Sequence, residues 1–167
     1  FVTGQYAGAQ YLHPLIKSWN SSENSLYLNY KIVATGASVK YWKQQNIEYD
    51  SVKKERYSVD RYLSTYKPNL IILSASGSEK LEHLFILQAK QAGINSVSFI
   101  DIWTNYKNRF IYNGNNVFPD TILSIDDKCT KEMEEDGIPT NLILKIGQPY
   151  LEDICKAIPR PGKKILL

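Results

Sequence analysis

The sequence predicts one three-layer α/β domain, in which a parallel β-sheet is flanked by helices on both faces. Short apolar segments rich in branched side chains alternate with segments of helical periodicity along the 167 residues. Alternation at this rhythm is typical of right-handed βαβ units, whose strands run parallel. A chain of this length also buries a full hydrophobic core as one ordinary domain.

The first half of the chain contains apolar runs separated by turn signals. These runs predict strands at residues 1–3, 31–34 and 70–73, with a further candidate strand at residues 47–49. The first helix follows a glycine turn at residues 4–8, and we expect Pro14 to lie early in that helix, where a missing N–H is tolerated. Ser58 is the predicted N-cap of a later helix, which Pro68 ends.

The second half repeats the alternation with clearer end signals. Its predicted strands are residues 96–100, 121–125 and 142–146. Gly93 and Gly137 suit the ends of two helices, because glycine adopts the left-handed conformation found there. Asp126 or Asp127 can cap the second of these helices, and a short helix is expected from about Leu151.

Composition excludes several classes of function. The net charge of +3 comes without a Lys/Arg run, which argues against nucleic-acid binding. Cys129 and Cys155 lack metal-type spacing, and no Ser/His/Asp order is present, so neither a metalloenzyme nor a hydrolase is supported. Two free thiols in a reducing cytoplasm are favoured, with one disulfide as the alternative. No apolar run reaches the roughly 20 residues that would span a bilayer.

The buried strand at residues 96–100 ends in a dense polar and aromatic cluster. Ligands of open parallel sheets bind beyond the carboxyl ends of the strands, so this cluster is the best site candidate. Its members are Asp101, Trp103, Asn105, Tyr106 and Arg109. The alternative is that the aromatic side chains only pack the loop against the sheet.

Each member of the cluster has a functional and a structural interpretation. Asp101 is the first candidate for a general base, although it could equally cap its own loop. Arg109 could clamp a phosphate, or it could pair with Asp101 or Glu79 inside the fold. Trp103 and Tyr106 could stack against a sugar ring, or they could belong to the core.

Two further groups are candidates outside this cluster. The turn containing Gly4, Gln5 and Gly8 points backbone N–H groups toward the space above the sheet, where anions commonly bind. Tight packing explains such a turn equally well. His13 could act as a base or phosphate contact, and Glu79 is the second candidate carboxylate; their alternatives are a helical histidine without a role and a partner of the helix dipole.

Several short motifs occur in the order found in the N-terminal half of two-domain GT-B enzymes. They are the glycine turn, Thr35-Gly36, Ser76-Gly77-Ser78, the segment 101–110, Pro119-Asp120, Gly137-Ile138-Pro139 and Gly147-Gln148-Pro149. Over nearly its whole length the chain therefore resembles the Rossmann-like N-terminal domain of a GT-B glycosyltransferase or of the related UDP-GlcNAc 2-epimerases. In such proteins the loop that matches the glycine turn faces the acceptor or the donor diphosphate, and residues 147–149 would lie at the hinge of the interdomain cleft.

The resemblance implies a division of labour between two domains. GT-B enzymes bind the nucleotide sugar mainly on the C-terminal domain and the acceptor mainly on the N-terminal one. We therefore expect residues 1–157 to form the acceptor-side domain, residues 158–162 a linker, and residues 163–167 the first strand of a second domain or of a missing half. The substrate-binding residues that the resemblance implies are Gly4, Gln5, Gly8, Thr35, Gly36, Ser76, Gly77, Trp103, Asn105, Tyr106, Arg109, Gly147 and Gln148.

The favoured function is the acceptor-side part of a glycosyltransferase that makes a bacterial surface polysaccharide or glycoconjugate. Its expected partners are a nucleotide sugar as donor substrate, a glycan or lipid-linked acceptor, and a second domain or subunit, with no cofactor. It would work in the cytoplasm or at the inner face of the membrane. The first alternative is a UDP-GlcNAc 2-epimerase, although the Gly-Asp pair expected there is missing from residues 76–79. The second alternative is a non-catalytic ligand-binding module.

Overall fold

The structure of the chain, a computed structural model, describes residues 1–20 and 29–157. Its strands and helices follow in the order β1 (Val2–Thr3), α1 (Tyr6–Asn20), β2 (Val33–Ala34), α2 (Ser38–Gln44), α3 (Arg56–Tyr66), β3 (Leu70–Leu73), α4 (Lys80–Ala92), β4 (Asn95–Phe99), β5 (Ile111–Tyr112), β6 (Asn115–Asn116), β7 (Thr121–Ser124), α5 (Asp127–Glu135), β8 (Ile143–Lys145) and α6 (Pro149–Ala157). The expected linker at residues 158–162 and strand at residues 163–167 lie outside the described residues.

Six of the strands form one parallel sheet in the order β2-β1-β3-β4-β7-β8. Val2 of β1 pairs with Val33 on one side and with Leu73 on the other, so the first strand of the chain lies inside the sheet. The parallel α/β architecture predicted from the sequence is confirmed. The two remaining strands, β5 and β6, form a separate antiparallel hairpin.

The two faces of the sheet bury different sets of side chains. Ile71 and Leu73 of β3 pack with Phe85 of α4 on one face. Ile72 lies between them in sequence and packs on the opposite face, in the cluster that contains Leu12 of α1. Because successive side chains of a strand point to opposite faces, this alternation places helices on both sides of the sheet.

Most of the predicted helix ends are confirmed. Asp126 is the N-cap of α5, and its Oδ1 atom accepts a hydrogen bond from the N–H of Cys129 at 2.7 Å. Gly93 and Gly137 end their helices with φ angles of +68° and +84°. Cys129 and Cys155 are both free thiols, so the disulfide alternative is not realised.

Two predictions about the first half of the chain are wrong in detail. Residues 47–49 do not form a strand, because the only ladder contact there is an isolated bridge between Val33 and Asp50. Helix α3 begins at Arg56 rather than after Ser58, and its N-cap Glu55 makes no side-chain capping bond.

The start of α1 also differs from the prediction. The N–H of Ala9 donates to the carbonyl of Gln5 at 3.1 Å, so the first helical turn closes within the predicted glycine turn. Pro14 therefore lies in the interior of α1 rather than near its start. None of the helices in residues 1–20 and 29–157 has the length and apolarity that crossing a membrane demands.

Candidate functional site

The carboxyl ends of β1 and β3 lie side by side where the connections of the sheet change direction. The chain leaves β1 for β2 on one side and then continues from β3 on the other, and open α/β sheets bind ligands in the crevice at such a point. Two hydrogen bonds join the loops there: Gly4 N donates to Ser74 Oγ at 3.4 Å, and Gln5 Nε2 donates to Ser78 Oγ at 2.6 Å. The structure thus brings the glycine turn and the Ser76-Gly77 loop together.

The side chain of Glu79 lies over the glycine turn. A Cβ atom added to Gly4 would lie 2.5 Å from Glu79 Cγ, and Gly36 approaches the same carboxylate from the end of β2. Glu79 is 13% exposed, and its carboxylate forms an ion pair with Lys54 at 2.5 Å. The small glycines therefore provide room for Glu79, and an anionic group can occupy this space only after Glu79 moves.

Gly8 and Thr35 flank this crevice without forming its centre. Gly8 is buried in α1, where an added Cβ atom would lie 2.5 Å from Ser74 Cβ. It therefore allows α1 to approach the end of β3 closely. Thr35 is half-buried after β2, and its N–H donates to the Thr3 carbonyl at 3.0 Å.

Asp101 and Arg109 form an ion pair at the carboxyl end of β4. The distance from Arg109 Nη1 to Asp101 Oδ1 is 2.5 Å. The side chain of Arg109 is 6% exposed, and that of Asp101 is 15% exposed. Of the alternatives for Arg109, pairing with Asp101 inside the fold is the one realised. The Asp101 side chain keeps some exposure to solvent, whereas the Arg109 guanidinium is almost fully enclosed.

Arg109 also joins the loops that follow β3 and β4. Its Nη1 atom donates to the Ala75 carbonyl at 3.0 Å, and Nη2 donates to the Thr104 carbonyl at 3.3 Å. The carbonyl of Arg109 itself lies 2.9 Å from Nε2 of the buried His83. On the other side, a Cβ atom added to Gly77 would lie 2.9 Å from Arg109 Cα. Arg109 therefore fixes the relative position of the two loops.

The aromatic members of the cluster divide into two environments. Trp103 is 39% exposed, and its Nε1 atom donates to Asp126 Oδ2 at 2.8 Å. Tyr106 is 5% exposed and packs in the core around Ile122, with burial raising the pKa of its hydroxyl. The core alternative therefore describes Tyr106, whereas Trp103 keeps a free ring face. Asn105 is exposed and has a φ angle of +58°.

His13 belongs to an aromatic cluster on α1 and α2. Its ring is 5% exposed, lies 5.6 Å from the rings of both Tyr41 and Trp42, and places Nδ1 2.7 Å from the Tyr41 hydroxyl. Burial lowers the pKa of His13 and raises the pKa of Tyr41 to about 12. These contacts hold a neutral imidazole within packed rings.

Gln148 connects the last strand to Asp101. Its Nε2 atom donates to the Asp101 carbonyl at 3.0 Å, and its Oε1 atom accepts from the N–H of Leu151 at 2.9 Å. Gly147 precedes it with a φ angle of +101°, a conformation that favours glycine. The predicted residues of this turn therefore lie beside the β4 cluster.

Glu82 is a buried carboxyl group that the sequence analysis missed. It is 3% exposed in the first turn of α4, yet it accepts hydrogen bonds from the N–H of Ser76 at 2.7 Å and from the hydroxyls of Ser76 and Ser74. Burial raises the pKa of this carboxyl despite the three donors. The available signal was the Ser-x-Ser sequence after a strand, followed by a carboxylate in the next helix.

Lys54 was missed as well, because no local pattern links it to Glu79. Together the crevice presents carboxylates, serine hydroxyls, a lysine and exposed backbone. Such groups suit a polar ligand that carries hydroxyls and a charged part. In the part of the chain that the structure describes, no three His, Cys, Asp or Glu side chains are grouped to hold a metal ion.

A parallel sheet flanked by helices on both faces, with the direction of its connections changing between β1 and β3, defines a Rossmann-like α/β domain. Among solved structures, the chain is similar to the UDP-GlcNAc 2-epimerase of Neisseria meningitidis bound to UDP-GlcNAc (TM-score 0.67, 12% identity, 93% of this chain and 48% of that chain). It is similar also to Staphylococcus aureus MnaA solved with UDP (0.67, 12%, 98% and 48%). No model of a known protein family matches the chain, and no curated protein matches it.

The chain spans about half the length of these structures. The same holds for the UDP-GlcNAc 2-epimerase of Methanocaldococcus jannaschii, with a TM-score of 0.67, 12% identity, and coverage of 93% of this chain and 46% of that one. Likeness at such identity establishes the fold, which is the GT-B-like Rossmann fold of these epimerases. The resemblance to this superfamily stated from the sequence is thereby confirmed at the level of fold.

Proposed function

We propose that this chain is one half of a nucleotide-sugar enzyme of the GT-B type, with the crevice at the carboxyl edge forming one wall of its cleft. The observation that carries the proposal is the match of 93–98% of the chain to about half of several UDP-GlcNAc 2-epimerases. Two of those structures contain UDP or UDP-GlcNAc. The polar loops at the switch point are consistent with a ligand of this kind.

Epimerisation of a UDP-amino sugar is the reaction that the similar structures favour. Asp101 is the candidate base, since its side chain keeps 15% exposure at the carboxyl end of β4 and Arg109 holds it in place. Glu79 is the second carboxylate within the crevice, and Trp103 offers an exposed ring to a sugar.

Glycosyl transfer is the second candidate, because residues 76–79 lack the Gly-Asp pair expected of the epimerases. In that case the crevice binds the acceptor hydroxyl, and the donor lies mainly on a second domain. The acceptor is then a glycan or lipid-linked sugar of a bacterial surface polymer, which the enzyme meets in the cytoplasm or at the membrane face.

Incubation of UDP-GlcNAc with the intact protein that carries this chain separates the two reactions. Epimerisation produces the C2 epimer without release of UDP, which proton NMR detects through a new anomeric signal. Transfer releases UDP only when an acceptor is present. Failure of both UDP and UDP-GlcNAc to bind at millimolar concentration contradicts the proposed nucleotide-sugar site.

The role of Asp101 is tested in the same assay. If it is the base, Asp101→Asn lowers turnover at least about 100-fold, the usual contribution of a general base. Asp127→Asn is the matched control, because Asp127 of α5 forms an exposed ion pair with Lys145 of β8. Near-normal turnover of folded Asp101→Asn removes Asp101 from this role.

A further inference from the structure

The hydrogen bonds of Glu82 go to the loop that follows β3. Ser74 donates its hydroxyl to Oε1, and Ser76 donates both its N–H and its hydroxyl to Oε2. The carboxyl group is thus held by three donors from one short stretch of chain. Glu82 itself belongs to a different element, helix α4.

Packing of α4 alone does not account for a carboxyl group at this position. Among its neighbours on α4, Leu81 and Phe85 are apolar and almost fully enclosed, and the buried His83 lies 2.9 Å from the Arg109 carbonyl. Burial of a carboxylate is unfavourable unless hydrogen bonds compensate for its lost hydration. An apolar side chain would pack here without that cost, so the acidic group is explained by the loop that it holds.

The loop held by Glu82 forms one side of the crevice. Ser74 Oγ accepts from the N–H of Gly4, so the hydrogen bonds continue from Glu82 to the glycine turn. The Ala75 carbonyl accepts from Arg109, and Ser78 contacts Gln5. Hydrogen bonds therefore join this short loop to the turn that follows β1 and to Arg109 in the segment that follows β4.

We infer that Glu82 is a positioning residue: it fixes the loop at residues 74–78 in the conformation that receives the ligand. The inference rests on the proposed function, in which the ligand is a nucleotide sugar. Glu82 acts through Ser74 and Ser76, and it requires no contact with the ligand. Loss of its hydrogen bonds releases the loop and weakens binding, while the helix stays packed.

Two substitutions separate the hydrogen bonds from the packing. Glu82→Leu puts an apolar side chain of similar size in place of the carboxyl group and removes all acceptors. Glu82→Gln keeps one acceptor oxygen for the loop. We expect Glu82→Leu to raise the Kd for UDP-GlcNAc at least about 10-fold in the intact protein, the loss expected for one or more hydrogen bonds. Glu82→Gln should restore binding to within about 3-fold of the unsubstituted protein.

Asp120→Leu is the matched control. Asp120 Oδ2 accepts from the N–H and the hydroxyl of Ser96, both at 2.8 Å, at the opposite edge of the sheet. The leucine removes these acceptors, as Glu82→Leu does, but far from the loop at residues 74–78. We expect Asp120→Leu to lower stability while leaving the Kd unchanged.

A second readout is independent of the ligand. The amide resonance of Ser76 reports directly on the hydrogen bond to Glu82, and its hydrogen exchange should accelerate in Glu82→Leu but not in Asp120→Leu. A protected Ser76 amide in folded Glu82→Leu, or an unchanged Kd, overturns the inference. If Ser76 responds as expected but the unsubstituted protein binds no UDP-GlcNAc, the proposed function fails and the loop contact stands.

Ser74→Ala keeps the test decisive if Glu82→Leu does not fold. This substitution leaves Glu82 in place but removes the hydroxyl that joins it to Gly4. We expect a rise in Kd of about 3-fold or more, with faster exchange of the Gly4 amide. Unchanged values of both quantities contradict the inference.

Discussion

At the scale of single residues, the stability of the fold depends on the enclosed ion pair between Arg109 and Asp101. Asp101→Asn leaves a guanidinium that is only 6% exposed without its counter-charge. We expect the free energy of unfolding to fall by about 3–5 kcal/mol, as for other enclosed pairs that lose one partner. Urea denaturation measures the change.

The pair between Lys145 and Asp127 provides the comparison, since these side chains are 51% and 89% exposed. Asp127→Asn should change the free energy of unfolding by less than about 1 kcal/mol, because water screens an exposed pair. Equal losses in the two variants would show that the enclosure of Arg109 has no energetic consequence.

The buried carboxyl of Glu82 makes stability depend on pH. Burial, with a smaller contribution from the nearby Glu79 charge, raises the pKa of Glu82 above its ordinary value of 4.5. Between these two pKa values the folded state holds more protons than the unfolded state, so the free energy of unfolding decreases as the pH rises through this window. We expect Glu82→Gln to lose this decrease, which denaturation at a series of pH values measures. Parallel curves for the two proteins would contradict the prediction.

At the scale of elements, Gly77 and Gly93 separate backbone strain from packing. Both have positive φ angles, +70° and +68°, but only Gly77 has a neighbour where a Cβ atom would be placed, with Arg109 Cα at 2.9 Å. Gly93→Ala should cost about 1–2 kcal/mol through the backbone conformation alone. Gly77→Ala should cost more, because Arg109 must move, and thermal denaturation of the two variants measures the difference. Equal losses of stability in the two variants would mean that Arg109 and its loop move away from the added Cβ atom at no energetic cost.

The elements themselves were predictable where one local pattern decides them. The apolar run that became β3 and the capping carboxylate of Asp126 needed no information from the rest of the chain. The start of α1 was not predictable in this way, because glycines at positions 4 and 8 are typical of a turn, whereas the helix already begins at Tyr6. Gly8 packs closely against Ser74 there, and Pro14 lies inside the helix.

At the scale of the whole molecule, the sequence predicted which loops lie at the carboxyl ends of the strands but not all of their contacts. Asp101 was identified because it follows a buried strand, and parallel strands place such residues at one edge of the sheet. Lys54 and Glu82 were missed, because their partners lie in other loops. The pairing of Arg109 with Asp101 remained one of two alternatives, since sequence spacing alone does not decide between Asp101 and Glu79.

The proposed division of labour between two halves gives a prediction for the 167-residue chain alone. If most of the donor site lies on the other half, this chain should bind UDP-GlcNAc with a Kd above about 1 mM, which corresponds to about −4 kcal/mol. Isothermal titration calorimetry measures this value. A micromolar Kd would place most of the donor site on this chain and contradict the division.

The interior position of β1 also bears on how the molecule folds. Residues Val2 and Thr3 are synthesised before β2 and β3, yet Val2 pairs with Leu73 at the end of β3. Such a distant pairing must overcome a large loop-closure entropy, which slows folding. We therefore expect β1 to be among the last strands to settle, entering a gap between β2 and β3 that the later chain has prepared.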